Sequence, residues 1–369
     1  MKLIVAGGGV VGAACAYTAA DLGAEVVLVD ADLPGRATAA GAGIICPWGS
    51  HADDPVWYAF ACAAAREYPG FVAGLVSAVG GEPADVSYRQ VGALMLARDA
   101  DEAERARERL RGAQAAAPEM GELQVLGASD ARALFPPLRP APAVFVSGAA
   151  RVDGRRLRAT LIRAARAKGA VVMTGRAELA CRAGRVTGAE VDGEVVTADA
   201  VVAAAGAWTA SLVAAAGVTV RVTPQRGQIA HLRLDQADTS GWPVVLPAAS
   251  GHYLLAFDDS RVVAGATRET GSGFDARVTA AGLDEVLTQA LAVAPGLADA
   301  SHVETRVGLR PAGPDGRPLL GPTGIDGLVV ATGLGASGLT LGPLAGSVAA
   351  RAALGLEQPF DLTPFDPLR

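Results

Sequence analysis

The 369-residue sequence predicts an α/β protein in two interleaved parts. One part is a buried, mostly parallel sheet wrapped by helices, and the other is an α+β part built on a mostly antiparallel sheet. Three observations lead there. β-Branched runs that break at glycines and continue as alanine-rich segments recur at residues 3–20, 200–220 and 327–350. Between them, 220–232 and 252–268 read as long strands, the latter turning at Asp258–Asp259. The chain is also 51% hydrophobic with 46 glycines, which suits a large core with close helix–strand packing.

The three uncharged stretches reach the length of a membrane span, and the first, with Lys2 before it, imitates a signal peptide. Their internal order of strand, tight loop and helix instead matches a buried sheet covered by helices. Residues 2–6 form the first strand, 10–22 a helix and 25–30 the second strand, one βαβ unit. Residues 57–79 are apolar and helical, and 99–117 is a charged helix with i,i+4 pairs on a solvated face. Strands follow at 171–176, 184–191 and 194–198, then a helix near 279–294, and a last strand–loop–helix unit at 327–354. No linker or repeat separates these parts. The division expected is therefore discontinuous: 1–45, 140–219 and 305–369 against 46–139 and 220–304.

The formal net charge of -6 opposes a nucleic-acid partner, whose phosphates need a basic surface. Cys15, Cys46, Cys62 and Cys181 show no CxxC spacing and no accompanying histidine cluster, so neither a metal site nor a disulfide framework is expected. A reducing cytoplasmic setting fits, either free or peripheral at the inner face of a membrane. Lys2 and Lys168 are the only lysines, leaving few candidates for Schiff-base chemistry.

The strongest motif is Gly7-Gly8-Gly9-Val10-Val11-Gly12, between the first strand and its helix. Gly7 permits the tight turn, Gly9 lets backbone approach a diphosphate, and Gly12 lets helix pack on strand. The diphosphate would sit at the helix N-terminus, on the amides around Val10 and Val11. Asp30 ends the second strand, where its carboxylate can accept from ribose hydroxyls and would repel a 2′-phosphate, which disfavours NADP. These features predict a Rossmann-like dinucleotide-binding domain. The far end returns to the same architecture, with strand 328–332, a loop holding Gly333, Gly335, Ser337 and Gly338, and a helix from Thr340 onward. A second glycine loop and helix N-terminus suit the ring end of an extended FAD better than they suit NAD, and the dipole there can stabilise negative charge near flavin N1.

These segments, together with ATAAGAGII (37–45), AAAGAW (203–208), PQRGQ (224–228), GATRE (265–269), GLRPAGPDGRPLLG (308–321) and GLGASGLTLGP (333–343), give a resemblance over nearly the whole chain. The sequence resembles the FAD-dependent D-amino acid oxidase superfamily, near D-amino acid dehydrogenases and glycine oxidases. The resemblance implies a Rossmann-like FAD-binding domain with an interleaved α+β substrate domain. It implies flavin contacts from Gly41, Gly43 and Ile44, from Gly206, and from Gly333, Gly335, Ser337, Gly338, Leu339 and Thr340. It further implies that Arg310 binds a substrate carboxylate with help from Tyr253. Glycine oxidases carry an Arg where Ala336 or Ser337 stands. Sarcosine oxidases attach flavin through a Cys near the GLRP segment and place a Lys near the flavin, around Ala264 by this resemblance. This chain has neither residue nearby, so noncovalent FAD is expected and sarcosine-type oxidase activity is not.

The function this points to is oxidative deamination of a small amino acid, a D-amino acid or glycine, to a 2-oxo acid by hydride transfer to flavin. The electron acceptor would be oxygen or a quinone or carrier, and a homo-oligomer is compatible. The alternatives are oxidation of a secondary amine such as proline or an N-methyl amino acid, and a flavin-binding subunit that needs a partner chain. Catalysis would be mainly orientation by a bidentate guanidinium. Arg310 could instead pair with Asp315 in the following turn, leaving Arg306 or Arg226 as the clamp. Trp48, His51 and Trp57 are pocket or core residues on this reading. His231, His252 and His302 read as structural, and Cys46 lacks any sign of being a nucleophile.

Overall fold

Six strands lie side by side in the order Leu319–Pro322, Leu328–Thr332, Ala200–Ala203, Lys2–Ala6, Glu25–Asp30 and Val171–Thr174. All neighbours are parallel except the first pair. The computed structural model describes residues 1–49, 53–248 and 250–369. Each uncharged stretch is strand, loop and helix: Lys2–Ala6 feeds Val10–Asp21, Ala200–Ala203 feeds Thr209–Ala214, and Leu328–Thr332 feeds Gly338–Ala353. The β-branched strands are buried on both faces, which explains why they read as continuous apolar runs. Among the described residues no helix is long and apolar enough to cross a membrane.

Small residues decide how closely the helices sit. A Cβ on Gly346 would lie 2.5 Å from the Val11 carbonyl oxygen and 2.7 Å from the Ala14 Cβ. Helices Val10–Asp21 and Gly338–Ala353 therefore touch almost backbone to backbone over the sheet. The long helix Pro55–Ser77 starts at Asp54, whose carboxylate accepts from the amides of Val56 (3.0 Å) and Trp57 (3.1 Å). The charged helix runs Ala100–Gln114 and the later one Ala280–Val293, as the spacing predicts.

The second large sheet holds Thr223–Arg233, Arg261–Gly265, Tyr253–Ala256, Val244–Leu246 and Ala93–Leu96 in spatial order, with Ser301–Ala312 alongside the first. It is antiparallel apart from Val244–Leu246 against Ala93–Leu96. Two of its strands cross the expected domain boundaries. Ala143–Val146 pairs with Ala93–Leu96 and Leu123–Leu126, and Ser301–Ala312 pairs with Thr223–Arg233 along its length. The breaks at 140 and 305 therefore cut into this sheet and need correction. Both strands end by handing the chain back to the parallel-sheet side, so local pattern alone cannot tell which sheet recruits them.

A buried polar cluster joins the two layers. His231 is 1% exposed, and its Nδ1 lies 3.2 Å from Arg261 Nη1. Arg261 in turn donates to Asp153 (3.1 Å), the N-cap of helix Gly154–Ala167. Burial, followed by the Arg306 and Arg261 charges, lowers the His231 pKa to about 3. An unfolded histidine titrates near 6.5, so this contribution to stability is complete above that pH and is lost as pH falls toward 3. The expected result is a loss of about 2 kcal/mol from this residue between pH 6.5 and 5. Urea midpoints at pH 7 and 5 check it: His231→Gln keeps an acceptor for Arg261 and should flatten the difference. An equal acid loss in that variant would assign the effect to other groups.

Candidate active site

One cavity of about 950 Å³ runs between the two layers, within the size range of cofactor and substrate sites. Gly7, Gly9, Val10, Val11 and Asp30 line one end. Gly7 turns with φ +112°, and a Cβ there would strike the Ala204 carbonyl. Gly12 does not line the cavity; its Cα faces the Gly7 carbonyl, so it is the packing glycine of the motif. The helix opening at Val10 has no acidic residue in its first turn, and the Val10 amide donates to Thr38 Oγ1 (2.9 Å). Asp30 lies against Gly8 and accepts from Arg158, with Arg36 3.8 Å away. Thr38, Arg36 and Arg158 are contacts sequence reasoning missed; ATAAGAGII drew attention to the glycines rather than to the threonine within it.

Gly41, Gly43 and Ile44 line the middle of the cavity, and Gly335, Ser337, Gly338, Leu339 and Thr340 line it from the C-terminal helix. Gly43 has φ +98°, and a Cβ there would strike the Val152 carbonyl. Thr340 Oγ1 donates to the Ile44 carbonyl (2.9 Å), and Tyr68 Oη donates to the Leu339 carbonyl (3.0 Å). The first bond holds the two loops together and the second ties the later one to helix Pro55–Ser77, with the N-terminus of helix Gly338–Ala353 facing the cavity. Gly206 lines it beside Trp208, which stacks on Phe274 with ring centroids 5.4 Å apart. Gly333 is the exception. It turns at the strand end with φ +76° against Leu319 and does not line the cavity, so the expected flavin contact there is corrected to a structural turn.

The antiparallel sheet supplies the opposite wall with Arg310 and Tyr253. Arg310 stands across from Gln225 on the paired strand, and the missing side chain of Gly227 opens the slot its guanidinium fills. Arg310 Nη1 donates to the Thr267 carbonyl (2.9 Å) and, at 3.5 Å, to the Arg226 carbonyl. Among the described residues it has no carboxylate partner. Asp315 is taken by Arg369 instead, at 2.9 Å. Burial lowers the Arg310 pKa, although a guanidinium remains charged. Burial likewise raises the Tyr253 pKa, keeping it a neutral hydroxyl. Arg226 binds Glu269 (2.6 Å) and Asp275 (2.9 Å), and Arg306 binds Glu304 (2.6 Å); neither lines the cavity.

The other candidates divide. Trp57 lines the cavity, whereas Trp48 is buried away from it. His51 lies outside the described residues. Cys46 lines the cavity, but burial pushes its thiol up to about 12, which leaves no thiolate nucleophile. His302 Nε2 lies 2.8 Å from Thr305 Oγ1 at the surface. His252 is a correction: it lines the cavity, with Nε2 3.3 Å from Glu285 and Nδ1 3.4 Å from Ser250 Oγ. Ala264 is 1% exposed in the core with Leu254 and Val286, and the nearby cavity-lining position is Ala266.

The glycine cradle, the helix N-terminus free of acidic side chains and the Asp30 carboxylate at the end of the second strand fit an FAD diphosphate and its adenosine. The second loop and helix fit its ring. The family model described as FAD dependent oxidoreductase matches residues 2–352. The chain belongs to this family of FAD-dependent oxidoreductases. This oxidoreductase is 45% identical over 367 residues to an uncharacterized oxidoreductase, YurR, of Bacillus subtilis (strain 168), covering 99% of this chain and 98% of that one. It is 31% identical over 373 residues to glycine oxidase of Pseudomonas putida, again covering 99% and 98%. Among solved structures it is similar to iminodiacetate oxidase from Chelativorans sp. BNC1, with TM-score 0.94 and 47% identity over 99% of this chain and 98% of that one. Glycine oxidase from Geobacillus kaustophilus superposes with TM-score 0.85 and 28% identity, covering 100% and 99%.

Proposed function

We propose that this oxidoreductase oxidises a small amine carrying a carboxylate on the carbon next to nitrogen. The observation that carries the reading is the Arg310 guanidinium, set in the cavity wall beside Tyr253, bonded only to backbone carbonyls and opposite the two glycine loops. A buried cation bonded only to carbonyls, with the rest of its fork unpartnered, favours an anionic ligand, and the planar fork suits a carboxylate. The likeness to iminodiacetate oxidase favours a secondary amine ahead of the primary amino acid that the motifs alone suggest.

Bound FAD supplies a two-electron acceptor for the hydride leaving the carbon beside nitrogen. The protein's part is placement. Arg310 holds the carboxylate, and the Tyr253 hydroxyl stands beside it as a donor that stays protonated. Together they fix which face of the carbon meets the ring. The neutral amine nitrogen forms the C=N bond as hydride departs, and water then adds to the imine and releases the shorter amine or ammonia. The apolar lining from Ile44, Leu339 and Ala266 limits water at the reacting carbon.

The test is anaerobic. Purified holoprotein, whose flavin should leave the polypeptide on acid precipitation, is mixed with glycine, sarcosine, iminodiacetate, proline and D- and L-alanine. Bleaching by carboxylate-bearing amines, with no response to amines lacking one, is the expected result. Bleaching by simple alkylamines at equal rates would remove the clamp from the mechanism, and flavin remaining on the denatured chain would overturn noncovalent attachment.

A further inference from the structure

Phe274 is 49% exposed, and its ring stacks on Trp208 with centroids 5.4 Å apart and planes at 26°. Trp208 lines the nucleotide end of the cavity. Its amide donates to the Ala205 carbonyl, one residue past the Ala204 carbonyl that packs on Gly7. The two rings come from opposite layers. Trp208 follows the parallel strand Ala200–Ala203, and Phe274 follows strand Glu269–Thr270 of the antiparallel sheet. An aromatic ring held half in water against a cavity-lining ring gives up part of its burial to reach across the mouth between the layers.

Phe274 sits on residues 271–278, between strand Glu269–Thr270 and helix Ala280–Val293. Both ends of this segment are tied to strand Thr223–Arg233: Glu269 pairs with Arg226 (2.6 Å), and the Thr279 amide donates to Gln228 Oε1 (3.0 Å). In its middle, Asp275 is held by Arg226 (2.9 Å) and Arg277 (2.9 Å). Ala276 then packs where Gly35 has no side chain; a Cβ on Gly35 would lie 2.8 Å from the Ala276 Cβ. Leu33 and Arg36, which flank Gly35, line the cavity. The segment therefore leaves the antiparallel sheet and rests on two parts of the nucleotide end, Trp208 and the turn at 33–36. Gly271 (φ +84°) and Gly273 (φ +59°) take left-handed backbone just before Phe274, and nothing lies within 4 Å of where their Cβ atoms would stand. Their conformation answers to the path of the chain and not to packing, as a hinge requires.

From this placement we infer that residues 271–278 are a strap across the nucleotide end of the cavity, and that the Phe274–Trp208 stack is the catch that retains FAD. The dinucleotide enters and leaves with the strap open and is held with it shut. The inference needs only the FAD site and is independent of which amine is oxidised. A catch differs from a simple contact in its kinetics. A contact made only to bound FAD slows departure, whereas a catch that must open slows arrival and departure alike.

Phe274→Ala tests the catch at an exposed position. FAD release is followed by the flavin fluorescence that appears when holoprotein is diluted, and FAD uptake by quenching when apoprotein is mixed with FAD. Both rates are expected to rise about two- to tenfold, the range of one aromatic stack, with the dissociation constant moving less than either. Phe274→Tyr keeps the stacked face and should match the parent. Asp275→Asn loosens the strap from Arg226 and Arg277 and should move both rates in the same direction as Ala. Should Ala fail to fold, Phe274→Leu, which keeps apolar bulk without the ring, carries the same two readings. Unchanged rates in Phe274→Ala would overturn the inference. Faster release with unchanged or slower uptake would overturn it equally, because Phe274 would then be an ordinary support of the FAD-bound wall.

Discussion

Replacing Arg310 with Met is expected to lower kcat/KM for carboxylate-bearing amines at least about a hundredfold while FAD content stays full. Met keeps much of the apolar stem in the slot beside Gly227 and removes the fork. The substrate carboxylate would then enter a desolvated wall with no partner, a loss on the order of 3–5 kcal/mol when one member of a buried pair is removed. A hundredfold corresponds to about 2.7 kcal/mol, so the expectation sits at the low end of that range. Lys should recover only part, since it offers a point charge without the planar pair of donors. Steady-state kinetics with carboxylate-bearing and uncharged amines gives the decisive comparison. Equal damage to both classes would make Arg310 a support for the wall. Arg226 and Arg306 would be poor replacements, because each is already committed to carboxylates of the protein.

Asp30→Ala is expected to weaken FAD binding about ten- to a hundredfold without changing substrate preference. A carboxylate accepting from ribose hydroxyls contributes about 1.5–3 kcal/mol as a charge-assisted acceptor. Asp30 also accepts from Arg158 and lies 3.8 Å from Arg36, so its removal leaves Arg158 without its acid while Arg36 keeps its pair with Asp32. Asp30→Asn keeps the shape and one acceptor, and should fall between parent and Ala. Quenching of FAD fluorescence on titration with apoprotein measures each affinity. Unchanged affinity in a folded Asp30→Ala protein would move the ribose contact elsewhere.

Local pattern revealed much of the architecture. The Gly7–Gly12 motif, the strand ending at Asp30 and the late glycine loop could be read because each is a short segment whose chemistry depends on its own neighbours. Arg310 was legible for a different reason: the GLRP resemblance named it, and the long strand Ser301–Ala312 then delivered it to the wall. Arg268, which lines the cavity, was not legible. The strand before it ends at Gly265, so alternation gives no parity for the next three residues. His252 looked structural because its partner Glu285 arrives from a helix over thirty residues away. The domain boundaries failed at Ala143–Val146 and Ser301–Ala312, where pairing partners far along the chain, rather than composition, decide the sheet.

The order of strands in the parallel sheet bears on how the protein acquires its flavin during synthesis. Lys2–Ala6 and Glu25–Asp30 precede the rest of their sheet by well over a hundred residues, yet Lys2–Ala6 needs Ala200–Ala203 as its neighbour, and that strand needs Leu328–Thr332. The helix that clasps the ring loop through Thr340 follows that strand, far along the chain from the Gly7–Gly12 cradle. A nascent chain thus exposes its diphosphate cradle long before it can close on the ring. A chain cut before the Thr340 clasp is therefore expected to keep the diphosphate motif yet lose FAD on gel filtration, read from its flavin absorbance.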